Sequence, residues 1–182
     1  DCAPCLLHRG YREIVEATSD KALQFRALAT LTRLLNKDFK ATAVPARLGT
    51  KRDRLVRTVT GNADPYARKK WTSNQQALEI LPQVKRLVAQ EKAIEDRFRK
   101  ACLCAIVGNI IEFDILDHEF RFEDISRLLS QAQADLAVDE IPKILEVAQK
   151  AEEILYLTDN AGEIAFDTLL VAQLKKLGAR VV

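Results

Sequence analysis

The chain has 182 residues, 48% hydrophobic and 30% charged, with 28 basic against 26 acidic side chains and a net charge of +2. Such a chain can bury a real core in one or two domains, and its near-neutral balance gives no reason to expect a nucleic-acid partner. No apolar run approaches the ~20 residues of a membrane span, no secretory signal is legible, and four cysteines do not read as a disulfide scaffold, so the cytoplasm is the expected location.

Cys2, Cys5 and His8 fall three apart, on one face if Pro4 opens a helix. They could contribute to a zinc site, which needs a fourth ligand. The plain alternative is a pair of reduced thiols packed as small hydrophobes. Cys102 and Cys104 are further candidates by residue type, but two residues apart on a helix they point in different directions.

Residues 5–18 and 20–36 read as two amphipathic helices. Leu6, Leu7, Tyr11, Ile14 and Val15 form one apolar stripe. Leu23, Phe25, Leu28, Leu31, Leu34 and Leu35 form the other, with Asp20 as its N-cap. Pro45 starts a third helical region that runs to Thr60, and Gly61-Asn62 ends it. The cations from Lys51 to Lys70 make the middle locally basic, either as a solvated face or as a funnel for an anionic substrate.

Asp64-Pro65-Tyr66 reads as an N-cap followed by Pro at the first helical position. In the helix that follows, Pro82 should interrupt or restart the pattern. A long helical pattern over 91–113 is broken by Gly108-Asn109. Asn is a poor helix-interior residue, so a backbone carbonyl or a ligand should use the Asn109 amide. Asp114, Asp117, His118 and Glu119 then cluster in a loop, as a surface turn or a metal site. A helix should run from Phe122 through Gln133, and another from Asp139, with Pro142 in its first turn, to about Ala151.

The chain is organised around residues 153–167. Ile154 to Leu157 is a short apolar run without helical period, which suits a parallel strand buried on both faces. Ile164, Phe166, Leu169, Leu170, Leu174 and Leu177 then recur at helical spacing, and Gly178 stands where a C-cap belongs. Ala179 to Val182 begins a second strand, completing a parallel crossover. Ligands bind beyond the carboxyl ends of such strands, where Asp159 and Asn160 stand. Their carboxylate and amide oxygens suit a hard cation such as Mg²⁺ or Mn²⁺. The amides of Ala161, Gly162 and Glu163 open the helix, where donors lack partners and an anion is favoured. The competing account makes Asp159 a mere N-cap.

Thr158-Asp159-Asn160-Ala161-Gly162-Glu163-Ile164 resembles the central motif of the metal-dependent damage-control phosphatases, also called the ARMT1-like domain. Cys2-Ala3-Pro4-Cys5, Asp64-Pro65-Tyr66 and Gly108-Asn109-Ile110-Ile111-Glu112-Phe113 resemble further motifs of that family in the same order. The leading Cys-x-x-Cys is similar to the branch found in archaea and some bacteria. Where this chain has Glu112 the family more often carries Asp. The resemblance implies an α/β fold with an N-terminal helical domain, here residues 1–136, and a parallel-sheet, Rossmann-like domain of which 137–182 is the first strand-helix-strand unit. It implies a divalent ion (Mg²⁺, Mn²⁺, Co²⁺ or Ni²⁺) on Asp159 and Asn160, and hydrolysis of small phosphorylated metabolites. Glu163 would orient substrate or the attacking water. Ala161, Gly162, Glu163 and Asn109 would lie on the substrate side, with Asp64 and Lys69 or Lys70. A third acidic ligand is expected one strand later, beyond Val182. A longer protein is expected on another ground too: the chain ends as a second strand begins, and a two-stranded parallel sheet is not independently stable; the lack of any Met separately suggests that methionines are missing from the sequence. A carboxyl methyltransferase using S-adenosylmethionine, a helical interaction protein and a non-hydrolytic nucleotide-binding module are the alternatives.

Overall fold

The computed structural model describes residues 2–110 and 122–182. Its packing separates two compact units, Asp1–Arg68 and Lys69–Val182.

The first unit holds α1 (Cys2–Ala17), α2 (Lys21–Asp38) and α3 (Pro45–Thr60). Local chemistry sets their ends. The Asp20 carboxylate accepts the N–H groups of Ala22 at 2.8 Å and Leu23 at 3.1 Å, capping α2 as expected. Pro45 opens α3, and Gly61 closes it with φ 72 in the left-handed region. Ile14, Ala27, Leu31 and Val56 form the core. The expected stripe of α1 is rotated: Leu7, Tyr11 and Val15 are exposed, while Gly10 and Glu13 are buried. Gly10 explains the rotation, since any side chain there would collide with buried Leu31. Phe25 likewise faces solvent. Buried Glu13 meets Arg52 at 3.5 Å, and Arg52 donates to Asp53 at 2.7 and 2.9 Å.

Helix α4 (Ala67–Gln90) leads into the second unit, with α5 (Ile94–Ile110), α6 (Phe122–Ala134), α7 (Ile141–Ala148), β1 (Glu153–Ile154), α8 (Glu163–Lys176) and β2 (Arg180–Val181). One expected break is absent: Pro82 lies inside α4. Gly108-Asn109 stands in the last turn of α5, and the rest of the 91–113 pattern lies outside the described residues. One core joins Ala77, Val84 and Val88 of α4 to Leu103, Cys104 and Val107 of α5, Ile125 and Leu129 of α6, and Phe166 and Leu169 of α8. A second joins Phe98 and Cys102 to Ile141, Leu145, Ala148 and Leu174. Cys102 and Cys104 thus face different cores. Both cores combine helices before residue 136 with the crossover after it. The packing divides at 68/69, whereas the sequence boundary was expected near 136.

The expected crossover is present: β1 pairs parallel with β2, Glu153 opposite Arg180 and Ile154 opposite Val181. Tyr156 N–H donates to the Val182 carbonyl at 2.8 Å and Val182 N–H to that of Ile154 at 3.0 Å, extending the ladder toward the turn. Burial on both faces is corrected to burial on one. Ile154 and Tyr156 pack on the second core, while Leu155 and Leu157 remain 69% and 80% exposed. Among the described residues the fold is eight helices with this two-stranded sheet, and no helix is long and apolar enough to cross a membrane.

Candidate active site

At the carboxyl end of β1 the chain turns through residues 157–162 into α8. The N-cap of α8 is Gly162, with φ 83, and no side chain caps the helix. The Asp159 carboxylate is therefore not bonded to the first helix amides. It is exposed, and its Oδ2 accepts the Asn160 side-chain amide at 3.1 Å. The same Asn160 nitrogen lies 3.2 Å from Glu163 Oε2, which also accepts the Asn160 backbone N–H at 3.1 Å. Glu163 thus reaches back to close the turn, as the acidic member of a capping box does. With its nitrogen between two carboxylates, Asn160 keeps Oδ1 as its only potential ligand atom; the reverse placement would set oxygen against oxygen.

Helix α5 enters through Asn109, whose side-chain N–H donates to Glu163 Oε2 at 2.8 Å. The question posed by an Asn in this helical pattern is answered by a neighbouring side chain in place of a backbone carbonyl. Gly108 makes the contact possible. A Cβ there would stand 3.0 Å from Phe166 Cβ and 3.4 Å from Glu163 Cα, so only glycine lets α5 and α8 lie this close. Three N–H groups thus converge on Glu163 Oε2, which fixes the carboxylate in one place.

Helix α4 enters through Asn74, whose Oδ1 accepts the Gly162 N–H at 2.7 Å. That amide was expected to face a phosphoryl group, and it is committed elsewhere. Nothing in the sequence reading singled out Asn74. The argument applied to Asn109, an Asn at a helix-interior position, would have found it.

One turn along α8, Asp167 is buried and accepts the Tyr156 hydroxyl at 2.8 Å. Burial pushes the Asp167 carboxyl up, the tyrosine hydrogen bond opposes this, and the Glu163 charge adds to the rise. Burial, and then Asp167, push the Tyr156 hydroxyl up as well. The pair ties the end of β1 to the start of α8.

Among the expected site residues, the structure brings together Asp159, Asn160, Ala161, Gly162, Glu163 and Asn109. Lys69 stands in the first turn of α4. Asp64 belongs to the first unit, where its carboxylate accepts the Tyr66 N–H at 3.3 Å and its carbonyl the Ala67 N–H at 3.2 Å. Its carboxylate thus holds the turn that leads into α4, in the manner expected of an Asp before Pro at a helix start. Cys2 and Cys5 are exposed on α1, as is His8. Among the described residues, no three His, Cys, Asp or Glu side chains gather to hold a metal. Glu112, Asp114, Asp117, His118 and Glu119 lie outside the described residues.

The donor set fits a hard cation as part of a site. Asp159 and Asn160 offer oxygen atoms only, exposed and pre-positioned by Glu163. Two protein ligands are fewer than the six positions around Mg²⁺, which commonly keeps several waters and takes substrate oxygens.

A parallel crossover whose first turn carries Asp-Asn-Ala-Gly-Glu, with asparagines from two other helices bracing it, defines an α-rich α/β protein with an oxygen-donor turn. Residues 1–182 match the model of the damage-control phosphatase ARMT1-like domain, and the chain belongs to that family. A protein of Archaeoglobus fulgidus named damage-control phosphatase is 32% identical over 176 residues, which are 96% of this chain and 59% of the relative. A damage-control phosphatase of Pyrococcus horikoshii is 29% identical over 178 residues, 97% of this chain and 59% of that protein. A crystal structure of a DUF89 family protein from Pyrococcus horikoshii is similar with a TM-score of 0.83 at 30% identity, covering 99% of this chain and 61% of that one. The chain spans about three fifths of the length of these relatives.

Proposed function

We propose that the protein is a divalent-metal-dependent phosphatase acting on small phosphorylated metabolites in metabolite damage control. The observation that carries this reading is the state of Asp159. Its carboxylate caps no helix, so its place at the strand end is left to ligand binding. Family membership and the names of the two phosphatase relatives support the same activity.

Asp159 and Asn160 Oδ1 would hold the ion, one of Mg²⁺, Mn²⁺, Co²⁺ or Ni²⁺. When bound, the ion polarises a phosphoryl group and makes water a stronger acid. The chain's own residues do the rest. Glu163 keeps Asn160 facing outward through Oε2 and has Oε1 left to orient substrate or water. The Ala161 and Glu163 amides, at a helix start, favour charge on phosphoryl oxygens. Lys69 or Lys70 supplies positive charge from α4. Residues 137–182 would open the α/β domain, and its third acidic ligand would follow β2. Two features support that extension: Leu155 and Leu157, which follow β1, are bare, and the relatives are longer.

Asp159→Asn in the full-length protein tests the reading. Its folding should be unchanged, since the carboxylate caps nothing. Metal-dependent phosphate release from an aryl phosphate should fall about 100-fold, near the ~3 kcal/mol that each lost catalytic interaction typically costs. A variant with wild-type turnover at limiting Mn²⁺ refutes the assignment.

A further inference from the structure

The carboxyl end of β1 passes into α8 through Gly162, the pivot of the turn. Gly162 is buried and holds φ 83, ψ −55, a conformation that side-chain-bearing residues rarely adopt. An N-cap residue normally uses its own side-chain oxygen to satisfy a helix amide. Glycine has no such oxygen, and its own N–H would be a buried donor in need of a partner. Leaving such a donor unpaired is unfavourable. Asn74 removes the problem from outside, with an acceptor 2.7 Å away.

The two sides of the turn are therefore held by different means. Glu163 fixes Asn160 from within the turn, and Asn109 fixes Glu163 from α5. Those bonds reach the backbone of the turn at Asn160, two residues before the pivot. At the pivot itself the Gly162 carbonyl accepts the Ala165 N–H at 3.1 Å within the helix, and Asn74 is the side chain that holds its N–H. Asn74 Oδ1 is bonded to the Gly162 N–H, which gives it a part in holding the turn.

We propose that Asn74 is a positioning residue: its bond to Gly162 N–H locks the 159–163 turn so that Asp159 and Asn160 present their oxygens to one ion. The consequence for metal binding rests on the phosphatase reading above; the consequence for the turn does not. Asn74→Leu keeps the bulk and removes the acceptor. Asn74→Asp keeps an acceptor oxygen beside a helix N-terminus, where negative charge is tolerated.

The test uses the full-length protein with two readouts: Mn²⁺ affinity by electron paramagnetic resonance, and hydrogen exchange of the segment 158–166. Asn74→Leu should weaken Mn²⁺ about 10-fold or more, the usual effect of losing a residue that orients a metal ligand. Exchange across the turn should accelerate. Phosphate release should fall at limiting Mn²⁺ and recover at saturation, because Asn74 touches neither ion nor substrate. Asn74→Asp should stay near wild type in all three. If Asn74→Leu melts too early to assay, Asn74→Ser, which is too short to reach, takes its place. Wild-type Mn²⁺ affinity and wild-type exchange in the acceptor-free variant overturn the proposal. If the wild-type protein itself neither binds Mn²⁺ nor releases phosphate, the phosphatase reading fails. Exchange then decides alone: acceleration in Asn74→Leu but not in Asn74→Asp sustains the lock, and equal rates overturn it.

Discussion

Replacing Gly108 by Ala puts the α5–α8 approach under direct strain. The new Cβ would stand 3.0 Å from Phe166 Cβ, 3.3 Å from its Cγ and 3.4 Å from Glu163 Cα. Carbon atoms rest at about 3.5–4.0 Å, so the helices must part by roughly half an ångström. Phe166 is fully buried among α4, α5 and α6 side chains, so it can give way only if that close-packed core shifts with it. Overpacking of this kind costs about 1–3 kcal/mol, and Ala returns about 0.5–1 kcal/mol over Gly within a helix. The expected balance is a loss of about 1 kcal/mol, and a larger one for Gly108→Val. In urea, with a slope of about 2 kcal/mol per M, that moves the midpoint down by about 0.5 M at unchanged slope. Gly49 is the control, because a Cβ there meets nothing within 4 Å; Gly49→Ala should raise the midpoint. If both variants raise it equally, the close approach is not tight, and the placing of Asn109 on Glu163 needs another cause.

Thiol titration should find Cys2 and Cys5 reactive in the native protein, and all four cysteines in denaturant. Burial pushes Cys102 and Cys104 up to about 12, so they hold almost no thiolate at neutral pH. Four fast thiols in the native state would contradict the two-core packing of α5. Stability should also fall as pH rises between about 4.5 and 7. Burial, and then Asp53, raise the Glu13 carboxyl from 4.5 to about 7, so the folded state binds the proton more tightly than the unfolded one. That stabilisation is complete below the lower value and is lost through the upper. Thermal melts of Glu13→Gln should lack this slope; an unchanged slope would place its origin elsewhere.

The parts of this fold legible in the sequence are those set by a few adjacent residues. Asp20, Pro45 and Gly61 end helices because cap chemistry is local. The strand, turn and helix around Asp159 were legible for the same reason. What failed was judgement of cost. Pro82 looks like a break by propensity, yet α4 runs through it, because packing on a shared core outweighs a propensity penalty of about 3 kcal/mol. At Gly108 the penalty has a use, since it admits α8. Burial was misjudged at Leu155 and Leu157 because hydrophobicity states what a side chain tolerates, whereas exposure depends on what lies over it.

The site shows the same division more sharply. Its oxygen donors, Asp159 and Asn160, are neighbours in sequence, and their chemistry could be read from residue type. The residues that aim them come from elsewhere: Asn109 lies 54 positions before Glu163, and Asn74 lies 88 before Gly162. No local pattern encodes such a bond. A polar residue at a helix-interior position is the one trace it leaves, because an Asn there is tolerated at a cost and gains a distant partner. Asn74 and Asn109 carry that trace on two helices, and both partners fall within one turn. Two independent helices spend an unfavourable residue on the same five-residue segment, which is expected where a geometry, rather than a core, is being held.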